Sequence, residues 1–399
     1  MKVAVVTTYP PSRGSLNEYG FHFVRELRAK REVREVVLLV DELDGQPQAA
    51  AERDPGLRIV PTWRFGSLSN ALRIAAAVRR ERPDAVIFNI QFASFGSGRV
   101  SAALGLLSVS FVRATGVPTV AILHNLLDTV DLSSAGFRMG RFMERMVRLL
   151  GGLVTRAILR ADLVAVTVPT YVDLLVRRYG ADNVVLAPHG SFEMTMPPAD
   201  AAGSTAGRRV LAFGKFGTYK RVEVLLEAHR ILLAADPASE VVIAGEDSPN
   251  APGYLASQAE RYRDVPGITF TGYVPEDDVP GLFRSSDVVV FPYTSTTGSS
   301  GVLHQAGEHA RAVVLPDLGD LGEVVREEGY AAEMFAPEDP ADLARAIDRV
   351  LSDPDLRTRM GAHNRVAAGG LPISDVVDWH LIHLDELRRG RTRAAEARS

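Results

Sequence analysis

Short apolar runs alternate with amphipathic stretches along almost the whole chain. In the first half, runs rich in Val, Ile and Leu predict buried strands at residues 2–7, 35–40, 85–88, 119–123, 163–167 and 184–188. Between them, apolar residues recur every three or four positions and predict helices, for example over 17–30, 68–81 and 101–115. Strands that alternate with helices in this way indicate a parallel sheet with helices on both faces.

A segment without periodicity divides this pattern into two halves. Residues 194–207 are rich in Pro, Ala, Gly and Ser, a composition typical of linkers. After it the alternation restarts, with predicted strands at 209–213, 241–244, 268–271, 288–291 and 312–315 and helices at 222–235, 277–285, 301–310, 321–328 and 340–352. The chain is therefore predicted to hold two doubly wound α/β domains. Ligands of such sheets bind beyond the carboxyl ends of the strands, so the expected site is a cleft between the domains.

The domain boundaries follow from this division. We predict a first Rossmann-like domain over 1–193, a linker over 194–207 and a second Rossmann-like domain over 208–374. Residues 375–389 carry an apolar stripe, which predicts a last helix within the segment 375–399.

Composition narrows the functional classes. The 399 residues carry a formal net charge of −4, which gives no bulk signal for nucleic-acid binding. The chain has no cysteine, which excludes disulfides, cysteine-ligated zinc and a thiol nucleophile. A strand is predicted from residue 2, where a signal peptide would need a longer apolar core, and no apolar run approaches about 18 residues. We expect a cytoplasmic protein without a membrane-spanning helix.

Two segments of the second half carry residues suited to a diphosphate. Lys215 and Lys220 stand beside the glycines of segment 214–221, so two cations flank flexible backbone. The Gly-Ser-Ser-Gly turn at 298–301 directly precedes a predicted helix, and N–H groups at a helix start attract anions. Together these segments predict a site for the diphosphate of a nucleotide sugar, which is a glycosyl donor.

Strand ends in the first half add candidate residues. His124 directly follows the strand at 119–123, where the cleft is expected, and Gly14 and Ser15 follow the first strand. Small residues there are expected to bring N–H groups near the phosphates or the acceptor. The carboxylates are scattered and the sequence has no His-x-x-x-His pair, so no metal site is predicted. Because lysines can neutralise a diphosphate, we expect metal independence and no cofactor.

The motifs of the second half resemble those of glycosyltransferase family 4. The donor half of that family shows Gly-Arg, then Lys-Gly, then a helix with Leu-x-x-Ala, and Gly214-Lys215, Lys220 and the helix 222–228 stand in those places. Further similar motifs follow in the family's order at 243–246, 270–274, 286–288, 291–292 and 319–323. In the first half the similarity is looser, at Pro10, Gly14-Ser15, 89–91, His124 and 188–190.

This resemblance implies the GT-B fold, in which two Rossmann-like domains face a cleft and the last helix crosses back to the first domain. It also implies a retaining glycosyltransferase that moves a hexosyl group from a nucleoside-diphosphate sugar to a hydroxyl of a glycan, a lipid-linked acceptor or a small molecule. The predicted catalytic residues are His124, Lys215 and Lys220. The donor diphosphate is assigned to Lys215, Lys220, Ser299, Ser300, Gly301, Val302 and Gly14. The nucleoside is assigned to Tyr273, Val274 and Gln305, the donor sugar to His124, Thr297 and Gly298, and the acceptor to Ser15, Asp128 and His189.

The sequence departs from the family pattern of two glutamates eight positions apart. Thr297 and Gln305 occupy these positions in the register that keeps the flanking match, whereas Ser300 and Glu308 share the spacing in a register that spoils it. Thr297 cannot act as a carboxylate, and Gln305 can bind ribose hydroxyls only without charge assistance. The identity of the donor therefore stays open.

Two alternatives to glycosyl transfer also stay open. A nucleotide-sugar epimerase shares the two-domain form, but it needs a base and acids at the sugar ring, and the sequence offers no convincing set. A catalytically impaired protein that binds a nucleotide sugar, or that acts as a scaffold, would account for Thr297 and Gln305. The retained Lys215, Lys220 and Gly/Ser turn argue against it.

Residues 136–160 interleave arginines with apolar residues and contain one acid, Glu144. Such a basic amphipathic helix lies either on an anionic membrane surface or on the sheet with its arginines in water. Peripheral membrane contact thus stays open, beside the nucleotide sugar and the acceptor as partners. The sequence does not indicate an oligomeric state.

Overall fold

The computed structural model describes residues 1–12, 14, 16–43, 56–126, 141–192, 208–248, 250–295 and 298–396, without the side chains of 141–148 and 391–396. These residues form two compact units. The first contains the described parts of 1–126, 141–189 and 373–396, and the second contains those of 190–372. The predicted linker 194–207 lies wholly outside the described residues, as do Ser15, Asp128 and Thr297.

The first unit is a seven-stranded parallel sheet with the order β3-β2-β1-β4-β5-β6-β7. Its elements are β1 (Lys2–Val6), α1 (Asn17–Ala29), β2 (Glu35–Asp41), β3 (Leu57–Trp63), α2 (Asn70–Glu81), β4 (Ala85–Ile90), α3 (Arg99–Leu106), α4 (Ser108–Arg113), β5 (Thr119–Leu123), α5 (Arg141–Ile158), β6 (Leu163–Val166), α6 (Pro169–Tyr179) and β7 (Val184–Leu186). The central strands β1, β4 and β5 are almost wholly buried, as expected for strands covered on both faces.

The second unit is a six-stranded parallel sheet with the order β10-β9-β8-β11-β12-β13. Its elements are β8 (Arg209–Phe216), α7 (Glu223–Ala235), β9 (Glu240–Asp247), α8 (Tyr254–Arg261), β10 (Ile268–Gly272), α9 (Val279–Arg284), β11 (Val288–Val290), α10 (Gly301–Glu308), β12 (Ala312–Pro316), α11 (Gly319–Glu327), β13 (Glu333–Phe335), α12 (Pro340–Ser352) and α13 (Pro354–Gly369). Its core joins the sheet to α7 and α12.

The last helix, α14 (Ile373–Glu396), belongs to the first unit. It packs on α1, where Nζ of Lys30 lies 2.6 Å from a carboxylate oxygen of Asp378 and donates to the carbonyl of Ser374 over 3.0 Å. The helix begins two residues before the predicted segment and continues beyond the apolar stripe.

Both sheets are parallel and carry helices, which confirms the prediction of two Rossmann-like α/β units. The sequence pattern missed the strand β3 and the short β13, and it ended β8 at residue 213 instead of 216. In the described part of the chain, no helix combines the length and the apolar character needed to cross a membrane.

Candidate active site

The ends of β8 and β9 run beside each other through a pair of glycines. Gly214 and Gly245 are register partners with φ angles of +137° and +130°. A β-carbon added to Gly245 would lie 1.9 Å from the carbonyl oxygen of Gly214, so the backbones approach this closely because Gly245 has no side chain. The pairing extends β8 to Phe216 and sets Lys215 opposite Glu246.

The loop after β8 brings Lys220 back over Gly214. Gly217 donates its N–H to the carbonyl of Lys220 over 2.9 Å, and the backbone of Lys220 forms an isolated antiparallel bridge with that of Tyr293. Nζ of Lys220 lies 4.8 Å from the centre of the Tyr293 ring, a cation–π distance. It would also lie 3.1 Å from a β-carbon added to Gly214. The ammonium therefore sits close to the half-buried backbone of Gly214.

The Gly/Ser turn leads directly into α10. Gly298 has a φ of +86° and donates its N–H to Oδ2 of Asp320 over 3.0 Å. Ser300, the residue before α10, places its Oγ 3.4 Å from the hydroxyl of Tyr293. Oγ of Ser299 is buried and has no hydrogen-bond partner in the described part of the chain. Because the first N–H groups of a helix have no partner within it, the turn offers donors to an anion.

Lys220 and the turn share one pocket, which has a volume of about 80 Å³. The residues that line it are Tyr219, Lys220, Tyr293, Gly298, Ser299, Ser300, Gly301 and Leu321. The structure thus brings together Lys220 and 298–301, which the sequence assigns to the donor. Lys215, half-buried on β8, and Val302, buried in the first turn of α10, do not line this pocket. No sequence signal singled out Tyr219 or Tyr293, which also line the pocket.

The three residues predicted for the nucleoside do not line the pocket either. Tyr273 is 50% exposed just after β10, and Val274 is half-buried beside it. Gln305 is 4% exposed and lies in the second turn of α10. Their assignment to the nucleoside stays a prediction.

In the first unit, His124 lies at the end of β5 within a cluster of buried rings. Its ring centre is 4.5 Å from that of Tyr19 and 5.9 Å from that of His189, and both contacts are edge-to-face. His189 contacts Tyr19 at 4.7 Å. The structure therefore places His124 next to His189, which the sequence predicts for the acceptor.

A chain of hydrogen bonds fixes the tautomer of His124. The hydroxyl of Thr7 donates to the carbonyl of Thr8 over 2.9 Å and accepts from Nδ2 of Asn89 over 2.9 Å. Oδ1 of Asn89 consequently faces Nε2 of His124 at 2.7 Å, and Nε2 donates. Burial, and the charge that a protonated His189 or His380 would carry, hold the pKa of His124 well below its ordinary value. His124 is therefore neutral, with Nδ1 as its acceptor nitrogen.

The loop after β1 is held by a buried acid, Asp41, which sequence reasoning missed. Gly14 donates its N–H to Oγ of Ser12 over 3.2 Å, and Ser12 donates to Oδ2 of Asp41 over 2.6 Å. Burial raises the pKa of Asp41 more than the bond from Ser12 lowers it. The Gly14 N–H that the sequence assigns to the diphosphate thus points to a side chain of its own loop.

Family profiles match both halves of the chain. A profile described as Glycosyltransferase Family 4 matches residues 17–190, and one described as Glycosyl transferases group 1 matches residues 207–353. A D-inositol 3-phosphate glycosyltransferase of Rhodococcus opacus is 30% identical over 256 residues. That match covers 60% of this chain and 55% of the relative, so the chain spans little more than half of the relative's length.

Solved structures resemble the chain over nearly its full length. Sucrose-phosphate synthase from Thermosynechococcus elongatus has a TM-score of 0.75 at 17% identity, covering 99% of this chain and 100% of that one. HepE of Anabaena, solved with UDP and glucose, has a TM-score of 0.71 at 17% identity, covering 96% and 99%. At such identities the likeness shows the fold alone. The two profiles, which together match most of the chain, show that it belongs to family 4 of the glycosyltransferases, and the solved structures show that it has the GT-B fold.

Proposed function

We propose that this protein is a retaining glycosyltransferase that moves a hexosyl group from a nucleoside-diphosphate sugar to a hydroxyl of an acceptor. The observation that carries the proposal is the pocket shared by Lys220 and the turn 298–301. As the glycosidic bond breaks, negative charge grows on the leaving diphosphate. A fixed ammonium and N–H donors stabilise that charge most at this moment, which accelerates the reaction.

His124 has a complementary part in this proposal. The family resemblance assigns it to the donor sugar, and its neutral state makes Nδ1 an acceptor of a hydrogen bond from a sugar hydroxyl. An imidazolium here would add positive charge beside the oxocarbenium-like carbon of the transition state. The buried, neutral ring avoids that repulsion while it orients the sugar.

Retention is proposed to occur by attack on the face that the diphosphate leaves. The bond from the anomeric carbon to the diphosphate oxygen breaks, and the bond to the acceptor oxygen forms on the same side. The proton of the acceptor hydroxyl passes to the leaving diphosphate. This route needs no carboxylate nucleophile, which is consistent with Thr297 in place of the family's glutamate.

We also propose that transfer is independent of metal ions, because Lys220 and the start of α10 neutralise the diphosphate themselves. Addition of EDTA to the purified enzyme is expected to leave the transfer rate unchanged. A rate that falls with EDTA and returns with Mg²⁺ would contradict this part of the proposal.

Membrane contact through α5 is proposed as the way a lipid-linked acceptor would be reached. One face of the described part of α5 is buried through Val154 and Ile158, whereas Leu149, Leu150 and Leu153 are 51 to 63% exposed. Arg156 is exposed on the same helix, and apolar side chains beside arginines suit an anionic bilayer surface. Sedimentation with phosphatidylglycerol vesicles, but not with phosphatidylcholine vesicles, is the expected result. Equal recovery in the supernatant with both would contradict it.

The transfer reaction itself is tested with a panel of UDP-, GDP- and ADP-hexoses. Each is combined with candidate acceptors, which include D-inositol 3-phosphate, the substrate in the relative's name. Release of the nucleoside diphosphate measures turnover, and NMR coupling constants of the product give the anomeric configuration. One donor is expected to be consumed with retention. Folded protein that binds a nucleoside diphosphate but consumes no donor would favour the catalytically impaired alternative, and an inverted product would exclude the proposed mechanism.

A further inference from the structure

A tyrosine of α8 lies beneath the loop that carries Lys220. The hydroxyl of Tyr254 donates to Oε2 of Glu223 and accepts the backbone N–H of Val222 over 2.8 Å. Its ring packs directly on Gly217, where an added β-carbon would lie 2.9 Å from Cβ and Cγ of Tyr254. Tyr254 therefore contacts the loop at both of its ends, residues 217 and 222.

Tyr254 is itself firmly held. It is the first residue of α8, and Asp247 at the end of β9 accepts the N–H groups of both neighbours, Gly253 over 2.6 Å and Leu255 over 2.8 Å. Ser248 also donates its N–H to the carbonyl of Phe216 over 2.7 Å, which joins the chain after β9 to the end of β8. Hydrogen bonds thus hold Tyr254 and the start of α8 to the end of β9 in the sheet.

The other side of the loop is tied to the segment after β11. Arg221 donates its N–H to the carbonyl of Pro292 over 2.9 Å, and Thr294 donates its N–H to the carbonyl of Tyr219 over 2.8 Å. Lys220 stands between these two bonds, with its ammonium over the Tyr293 ring. Arg221 stands at the position of the glycine in the family's Lys-Gly pattern, and it pairs with Glu223 at 2.9 Å. The side chain of Glu223 thus links Arg221 to Tyr254.

We propose that Tyr254 is a positioning residue for the donor diphosphate. Its hydroxyl fixes the backbone of the loop that carries Lys220, and thereby the position of the Lys220 ammonium. The inference rests on the proposed function, because it assigns Tyr254 to that same phosphate site. Without the hydroxyl, the N–H of the fully buried Val222 loses its acceptor. An unpaired buried donor is costly, so the loop shifts to pair it and Lys220 moves with the loop.

The chain provides a matched control for this substitution. Tyr262, at the end of the same helix, donates its hydroxyl to Oε1 of Glu227 on α7 over 2.7 Å. The two pairs, Tyr254–Glu223 and Tyr262–Glu227, therefore make the same kind of bond between the same two helices. Only the first also binds the backbone of the Lys220 loop. Tyr262→Phe therefore removes a tyrosine–glutamate hydrogen bond between α8 and α7 but leaves the backbone contact with the Lys220 loop in place.

The test is calorimetric titration of wild type, Tyr254→Phe and Tyr262→Phe with UDP and with GDP, well below the melting temperature. For the nucleotide that wild type binds more tightly, Tyr254→Phe is expected to raise Kd roughly tenfold, the effect of one unpaired buried donor. Tyr262→Phe is expected to keep the wild-type Kd. Equal Kd values for the two variants would overturn the role of Tyr254, whereas wild type that binds neither nucleotide would count against the proposed function itself.

A double variant separates positioning from a general loosening of the unit. If Tyr254 acts through Lys220, then Lys220→Ala and Lys220→Ala/Tyr254→Phe will have the same Kd. If the double variant instead raised Kd by the product of the two single effects, the proposal would be overturned. Should Tyr254→Phe fail to fold, Glu223→Leu frees the Tyr254 hydroxyl to turn away from the Val222 N–H, and Glu227→Leu, which frees Tyr262 in the same way, is its control.

Discussion

His380 is expected to make the first unit sensitive to acid. This residue of α14 is fully buried between Phe23, 5.6 Å away, and Trp379, 5.0 Å away. Neither of its ring nitrogens has a hydrogen-bond partner in the described part of the chain. Burial, followed by the charge of His383, lowers its pKa from 6.5 to about 3. The folded protein therefore keeps His380 neutral, whereas the unfolded chain protonates it below its ordinary pKa.

The size of the effect follows from the two pKa values. The unfolded state binds more protons at pH values between the two pKa values, so the free energy of unfolding falls as the pH falls through 6.5, and it levels off near pH 3. At pH 5 the difference amounts to about 1.5 pKa units, or about 2 kcal/mol, and at pH 8 it vanishes. Replacement of His380 with leucine removes this pH dependence and places an apolar side chain in the same buried position.

The chain offers a specific probe for this measurement. Its two tryptophans, Trp63 and Trp379, both lie in the first unit, so fluorescence during urea unfolding follows that unit. The free energy of unfolding of His380→Leu, relative to that of wild type, is expected to be about 2 kcal/mol higher at pH 5 than at pH 8. Parallel pH dependences of the two proteins would refute the reasoning, because they would mean that His380 titrates equally in both states.

Two further predictions concern the residues around the site. Gly245→Ala is expected to destabilise the second unit by ~3 kcal/mol or more in urea unfolding followed by circular dichroism, because it combines a strained φ with a clash at the Gly214 carbonyl. Gly253→Ala is its control: φ is also positive, but the added β-carbon meets open space, and a cost of ~1 kcal/mol is expected. Similar costs for both would contradict the close approach of β8 and β9. Asn89→Asp is expected to raise the pKa of His124, so that nitrogen NMR of labelled histidine shows the imidazolium at higher pH than in wild type. A wild-type His124 that titrates near pH 6.5 would contradict the buried, neutral ring.

Much of the fold was readable from the sequence because the central strands are continuous apolar runs. β1, β5 and β12 are buried on both faces, and their Val- and Ile-rich segments have no competing interpretation. β3 escaped the pattern because it is an edge strand, interrupted by Arg58 and Pro61 and partly exposed. β8 appeared to end at Phe213 because Gly214 suggests a turn, whereas in the structure it pairs with Gly245.

The candidate site was readable only where its residues lie close together in sequence. The turn 298–301 and the segment around Lys220 are local motifs, and the structure joins them in one pocket. Tyr254 contacts Glu223 and Val222 from more than thirty positions away, and Tyr293 pairs with Lys220 across more than seventy. No periodicity or motif signals such contacts, because they depend on which strands the topology makes neighbours.

The most direct test of the central claim is whether nucleoside diphosphates stabilise the protein against thermal unfolding through the proposed phosphate site of the second unit. UDP, GDP and ADP are added to wild type, to Lys220→Ala and to Arg263→Ala, which removes a similar charge from an exposed ion pair elsewhere in the unit. At a concentration of about a hundred times Kd, a bound nucleotide stabilises the native state by about 2.7 kcal/mol. The account predicts a raised melting temperature for wild type and Arg263→Ala with at least one nucleotide, and the loss of most of that shift in Lys220→Ala. A shift of equal size in all three proteins, or none in wild type, would contradict it.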